Sequence, residues 1–203
     1  MIAVIDYGAG NLQSVEKAFR FVRCDIRVTK DPEELRSASA AVLPGVGAFG
    51  DAMNCLKNSG MVNPVLDFIE TGKPFLGICL GLQLLFESSE ETPGVAGLGV
   101  LGGTIRRIPA GTGLKIPHIG WNSLSIRRPG GLFEGLGQDP YVYFVHSYYL
   151  KAKNPEEVSS TTEYGVTIDA SVQKGNLFAT QFHPEKSGAV GLRMLENFAR
   201  LIG

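Results

Sequence analysis

The stretch Lys73-Pro-Phe-Leu-Gly-Ile-Cys-Leu-Gly-Leu-Gln-Leu-Leu-Phe-Glu87 constrains the fold of this chain more than any other. Pro74 to Ile78 is a short apolar run of the kind that makes a buried strand. Leu80 to Phe86 are mostly good helix formers, so the chain must turn sharply at Gly77-Ile78-Cys79-Leu80-Gly81. Glycines two before and two after a central residue are the spacing of a nucleophile elbow, here with Cys in place of Ser. The need is steric. A side chain thrown up at a strand-to-helix turn forces neighbouring backbones together, and only Gly fits there without a Cβ clash. Cys79 would then cap a helix whose free N–H groups and dipole favour negative charge on sulfur and on a developing oxyanion. Taken alone, the stretch also fits a structural cysteine on an ordinary βα turn.

The residues before the elbow alternate strand and helix signals. Ile2 to Asp6, Ile26 to Thr29 and Ala40 to Leu43 read as buried strands. Between them Asn11 can cap a helix carrying Leu12, Val15, Phe19 and Val22 at helical spacing. Residues 49–59 and 61–70 read as helical, with Pro64 in the first turn of the second. This order predicts an α/β fold: a doubly wound, largely parallel central sheet with helices on both faces. Sites in such sheets lie at the carboxyl ends of the strands, where Asp6, Gly45 and Cys79 all fall. Gly8-Ala-Gly10 lacks the third glycine of a dinucleotide fingerprint.

After Gly102 the pattern changes to β-rich segments with turn punctuation: 104–108, 121–127, 141–149, 166–173 and 177–182. They predict antiparallel additions to the sheet rather than a second domain, so residues 1–203 are expected to form one unit. A closing helix is expected over about 189–202. A net charge of -1 gives no reason to expect nucleic acid or a membrane surface as partner. Cys24, Cys55 and Cys79 form neither a CxxC pair nor a disulfide framework. The apolar start is short and lacks the basic residues of a signal peptide, and no apolar run approaches the roughly 20 residues of a membrane helix. A cytoplasmic protein is expected.

Of the histidines, His183 leaves the end of an apolar strand as Cys79 does, so both can reach one rim of the sheet. Pro184 has a fixed φ and is expected to hold the chain extended, which puts Glu185 on the same face as His183. That would supply a base and the carboxylate that fixes its tautomer. The tripeptide alone also fits a solvated turn. His118 and His146 are rival bases, although His146, in mid-strand, fits a pocket wall better. No His, Cys and Asp cluster has metal-ligand spacing, so neither a metal nor another cofactor is expected.

Gly77-Ile-Cys-Leu-Gly-Leu-Gln83 together with Gln181-Phe-His-Pro-Glu185 resembles the class I glutamine amidotransferases, whose Cys-His-Glu triad hydrolyses the amide of glutamine. Within that family the chain is most similar to the glutaminase subunits of imidazole glycerol phosphate synthases. Asp6 to Leu12, Leu43 to Phe49, Pro117 to Asn122, Tyr143 to Tyr149 and Phe182 to Ser187 carry this likeness. Leu82, Ile119, Ile168 and Ala179 depart from the usual pattern, none at a reacting group.

The resemblance implies Cys79 as nucleophile, His183 as general acid and base, and Glu185 as its orienter. It implies an oxyanion hole from the backbone N–H groups of Val46 and Leu80, the second agreeing with the elbow geometry. Gly47, Gln83, Glu91, Ser147 and Tyr148 stand where the family binds L-glutamine, though Glu91 also fits a solvated helix end. The implied partner is a (β/α)8-barrel cyclase chain in a heterodimer, with Asn11, Trp121, Tyr143 and Lys186 at the interface. Trp121 fits core packing as well. Two other readings remain: the glutaminase of another ammonia-using synthase, which lacks the Asp6 to Asn11 and Pro117 to Trp121 stretches, or a non-catalytic scaffold of the same fold.

Overall fold

The computed structural model of the chain describes residues 1–111 and 113–202; of the expected 1–203 unit, residues 112 and 203 lie outside the described residues. Strands β1 (Ile2–Ile5), β2 (Ile26–Thr29), β3 (Ala40–Gly45) and β4 (Phe75–Cys79) alternate with helices α1 (Leu12–Phe21), α2 (Pro32–Ser37), α3 (Phe49–Asn58) and α4 (Val62–Glu70). Strand β4 runs directly into α5 (Leu80–Leu84). The second half adds β5 (Ser88–Ser89), β6 (Gly103–Arg107), β7 (His118–Ser123), β8 (Ser125–Ile126) and β9 (Tyr141–His146). It continues with β10 (Tyr148–Ala152), β11 (Val158–Glu163), β12 (Thr167–Lys174) and β13 (Leu177–Thr180), and closes with α6 (Gly188–Arg200).

The main sheet has the order β2-β1-β3-β4-β13-β12-β10-β6-β5, with β11 and β8 branching from β12. From β2 to β13 the strands are parallel; from β13 to β6 the pairs are antiparallel, and the short β5 adds to β6 in parallel. Alternation along β1 shows why helices cover both faces. Ile2 and Val4 pack with Val15 and Phe19 of α1 and Leu195 and Phe198 of α6. Ala3 and Ile5 pack on the other face with Leu35, Met53, Leu56, Val65 and Phe68 of α2, α3 and α4. A strand buried on both faces has no polar position to spare, hence its unbroken apolar reading.

Several elements differ from their sequence reading. Helix α5 stops at Leu84, because the carbonyls that would continue it take amides from the following loop: Leu98 N–H to Leu84 at 2.8 Å and Leu101 N–H to Leu85 at 3.1 Å. Strand β3 extends through Pro44 and Gly45, paired with Ile78 and Cys79. Proline is tolerated because pairing of β3 with β1 has already ended at Val42, so no neighbour needs its missing N–H. The 141–149 segment is two strands: β9 pairs with β7 in a separate ribbon, and after Ser147 the chain enters the main sheet as β10. Segment 121–127 divides likewise into β7 and β8. Helix α2 and strand β11 have no counterpart in the sequence reading. The first is capped by Asp31, whose carboxylate accepts from Glu33 N–H at 2.9 Å with Pro32 opening the helix. The second is polar, its Ser159 and Ser160 hydroxyls meeting Ser171 at 2.7 and 2.6 Å.

The elbow rests on close approaches of backbone to backbone. A Cβ on Gly81 would lie 1.8 Å from the Leu43 carbonyl oxygen, and one on Gly77 would lie 2.9 Å from the Gly81 carbonyl oxygen. Gly81→Ala should therefore destabilise the fold by about 3 kcal/mol or more. Gly60→Ala, strained only by φ +72 with open space around it, should cost roughly 1–2 kcal/mol. Urea denaturation of both variants checks the ranking.

Candidate active site

Cys79 ends β4 and caps α5 with φ 55 and ψ -108, a conformation L residues avoid unless packing imposes it. It is 7 % exposed, at the floor of a cavity of about 360 Å³. Val46, Gly47, Leu80, Gln83, Glu91, Ser147, Tyr148 and His183 line the same cavity, joined by Pro117, Val145 and His146. Thus the residues read as nucleophile, oxyanion donors, glutamine contacts and base come together from five parts of the chain. Leu80 is the first residue of α5, so its N–H has no partner within the helix. Val46 follows β3 directly, beside the residue paired with Cys79.

Strand β13 lies parallel beside β4, with Thr180 opposite Ile78, which brings the following residues to the rim that holds Cys79. The expected extended chain at Pro184 is replaced by a 3-10 turn, Pro184–Lys186, because the fixed φ of proline suits a helical start as well. The turn still brings Glu185 back to its histidine. His183 Nδ1–H donates to Glu185 Oε1 at 2.7 Å, both side chains being almost fully buried. Ser187 ties the turn to β9: its hydroxyl donates to the His183 carbonyl at 2.6 Å and accepts from Tyr143 N–H at 3.0 Å. Glu185 itself stands behind His183, off the cavity wall.

Burial opposes charge on His183, but the Cys79 sulfur and the Glu185 carboxylate outweigh it and push its pKa up to about 10. His183 Nε2 makes no hydrogen bond of regular geometry, so its resting attraction to sulfur is electrostatic. The two rival histidines behave oppositely. Burial lowers His118 to about 4 and His146 to about 3. His146 Nδ1 lies 2.9 Å from the Tyr148 carbonyl, which can only accept, so the proton sits on Nδ1. Its Nε2 then accepts from His118 Nδ1–H at 3.1 Å. His146 is a neutral wall residue and His118 its neutral partner behind the wall; neither is poised as a base.

Glu91 is not a solvated helix end: its Oε2 accepts from Phe49 N–H at 2.8 Å, at the N-terminus of α3. Of the expected interface residues, Asn11 caps α1 through Ser14 N–H at 3.4 Å. Trp121 is 55 % exposed on the outer face of the β7–β9 ribbon, not in a core, with the Tyr143 ring 6.2 Å away. Ile119 and Tyr141 share that face, and period-2 alternation along 117–123 and 141–146 would have found them. Lys186 ends the 3-10 turn. Among the described residues, no group of three or more His, Cys, Asp or Glu could hold a metal ion, and no helix is long and apolar enough to cross a membrane.

A cysteine at a strand-to-helix elbow, facing an imidazole held by a carboxylate at the rim of an α/β sheet, is the arrangement of an amidotransferase site. The chain belongs to the class-I glutamine amidotransferase family, whose model matches residues 3–201. It is 52 % identical to imidazole glycerol phosphate synthase subunit HisH of Moorella thermoacetica, over 99 % of this chain and 95 % of that one. It is also 52 % identical to the HisH subunit of Methanothermobacter thermautotrophicus, over 100 % of this chain and 99 % of that one. A crystal structure described as a glutamine amidotransferase shares the fold, with a TM-score of 0.78 at 21 % identity, covering 100 % of both chains.

The three histidines should separate cleanly in an NMR titration: His183 near pH 10, His118 near 4 and His146 near 3. With an unfolded value of about 6.5, the His183 contribution to stability is complete below pH 6.5 and lost as pH rises through about 10. Those of His118 and His146 are complete above pH 6.5 and lost on acidification toward 4 and 3. A His183 resonance titrating near pH 6.5 would contradict the buried pairing.

Proposed function

We propose that this chain, acting as a single amidotransferase domain, is the glutaminase subunit of an imidazole glycerol phosphate synthase. It hydrolyses L-glutamine to glutamate and ammonia. The observation that carries the reading is the buried His183–Glu185 pair facing Cys79 across the cavity floor. The Cys79 thiolate attacks the carboxamide carbon, and the oxyanion meets the N–H groups of Leu80 and Val46. His183 gives its proton to the leaving nitrogen, so ammonia departs and a glutamyl thioester remains. His183 then takes a proton from water, which attacks the thioester and releases glutamate and the thiolate. Glu185 keeps the ring in one tautomer and balances the imidazolium throughout. Gly47, Gln83, Glu91, Ser147 and Tyr148 supply the polar wall against which the amino and carboxylate groups of glutamine are held.

Free ammonia is protonated and lost in water, so hydrolysis must be joined to its use. The full-length identity to HisH subunits supports a cyclase partner of (β/α)8-barrel form, which converts ammonia and a ribotide into imidazole glycerol phosphate and an aminoimidazole carboxamide ribotide. The outer face of the β7–β9 ribbon, with Ile119, Trp121 and Tyr141 60, 55 and 59 % exposed, is an apolar surface suited to that partner. Tyr143 stands opposite Trp121 in that ribbon, and Asn11 and Lys186 complete the proposed interface. Tyr143 joins the ribbon to the His183 turn, its carbonyl accepting from His183 N–H and its N–H donating to the Ser187 hydroxyl, so a partner seated there touches the frame of the base.

Cys79→Ser should lower glutamine-dependent synthesis by about 1000-fold or more while leaving synthesis from ammonium salt and partner intact. Glu185→Gln should lower glutamine turnover roughly 100-fold or more without changing partner affinity. Equal loss of both activities in Cys79→Ser would make Cys79 structural.

A further inference from the structure

A hydrogen-bond chain with a fixed direction runs through the cavity wall and ends on the nucleophilic sulfur. Its origin is the Tyr148 carbonyl, a group that can only accept. Gln83 Nε2 lies 3.2 Å from that oxygen, so the nitrogen, not the oxygen, of the Gln83 amide faces Tyr148. The same Nε2 lies 3.0 Å from the Gln181 side chain, which must therefore present its Oε1. With its oxygen committed, Gln181 has only Nε2 to turn toward Cys79 Sγ, at 3.8 Å. His146 Nδ1–H, on the same carbonyl at 2.9 Å, holds Tyr148 from the other side.

Gln181 is 0 % exposed and follows β13 directly, its N–H tied to the Ala170 carbonyl at 2.8 Å. Its backbone is therefore fixed, and its side-chain amide cannot flip without losing the Gln83 bond. A buried amide with both ends engaged costs desolvation that an apolar residue of the same volume would not. That cost is offset only if the donor has something to stabilise. We infer that Gln181 is a hydrogen-bond donor to the nucleophile, one that holds the sulfur in its anionic form beside the charge of His183, while Gln83 fixes which end of the amide faces sulfur. This rests on the assignment of Cys79 as nucleophile. It divides the labour at the floor of the cavity: His183 exchanges a proton with the reacting atoms, and Gln181 steadies charge on sulfur without giving up a proton.

Two substitutions separate the roles. Gln181→Met removes donor and acceptor at nearly constant volume and frees Gln83. Gln181→Glu keeps an acceptor for Gln83 and, assayed where its carboxyl is ionised, removes the donor to sulfur. In the full chain with its synthase partner, both should lower kcat for glutamine hydrolysis about 10- to 100-fold, the range of a lost hydrogen bond to a charged group. The KM for glutamine should stay within about twofold in Gln181→Glu and rise in Gln181→Met, where Gln83 loses its anchor. Alkylation of Cys79 by iodoacetamide at pH 7 should slow along with kcat in both. Wild-type kcat and wild-type alkylation in either folded variant overturn the inference. If neither variant folds, NMR of the Gln181 side-chain amide decides: a shift on Cys79→Ala supports the contact, and an unmoved resonance overturns it. Cys79→Ala also tells the two readings apart. If it retains turnover, the nucleophile is misassigned; if it is inactive while the Gln181 variants match wild type, only the Gln181 contact fails.

Discussion

The site depends on backbone meeting backbone where β4 turns into α5. Gly81 sits so close to the Leu43 carbonyl that no side chain fits between them, and Gly77 closes on Gly81 from within the elbow. Gly45, at the end of β3, completes the contact, since a Cβ there would lie 2.8 Å from Gly81 N. These approaches allow α5 to start within one residue of the strand, which forces Cys79 to φ 55 and lifts its side chain to the rim. Tyr7 braces the neighbouring strand, its hydroxyl donating to the Pro44 carbonyl at 3.0 Å. Packing thus fixes the strained residue before any ligand arrives.

Electrostatics then act on a fixed frame. The three histidines have two different fates: burial favours the neutral ring in all of them, and only His183 has a carboxylate and a sulfur beside it to outweigh burial. The Glu185 carboxylate beside His183 favours the imidazolium strongly; the Tyr148 carbonyl beside His146 favours it too weakly to offset burial. The same ring, lining the same cavity, favours the charged form in one place and the neutral form in the other. Ser187 and Tyr143 bind the His183 turn to the β7–β9 ribbon, so the base and the exposed outer face of that ribbon share one hydrogen-bonded frame.

Much of this was legible in the sequence, for stated reasons. The elbow announced itself because sterics leave no alternative to Gly77 and Gly81. The doubly wound half was legible because strands buried on both faces must be apolar throughout. Helix α2 was marked by Asp31-Pro32-Glu33, a cap and a proline start, but its six residues carry too little periodicity to stand out. Strand β11 was invisible, since Ser and Thr fill it and their hydroxyls are satisfied only by a strand from elsewhere. The break at Ser147 was equally hidden: both halves read as β, and only the closed ribbon reveals that they belong to different sheets. Gln181 was legible as part of the motif around His183 but not in its role, because an amide's role is set by which end faces which neighbour, and those neighbours lie 98 and 102 residues away.

The central claim, that the elbow presents Cys79 as the nucleophile, is tested most directly by trapping the covalent intermediate. The chain with its partner would be quenched in acid during glutamine turnover and its peptides mapped by mass spectrometry. The account predicts a glutamyl thioester on the peptide that carries Cys79 and none on those carrying Cys24 or Cys55. A glutamyl adduct on either of those cysteines, with Cys79 unmodified while turnover proceeds, would contradict it.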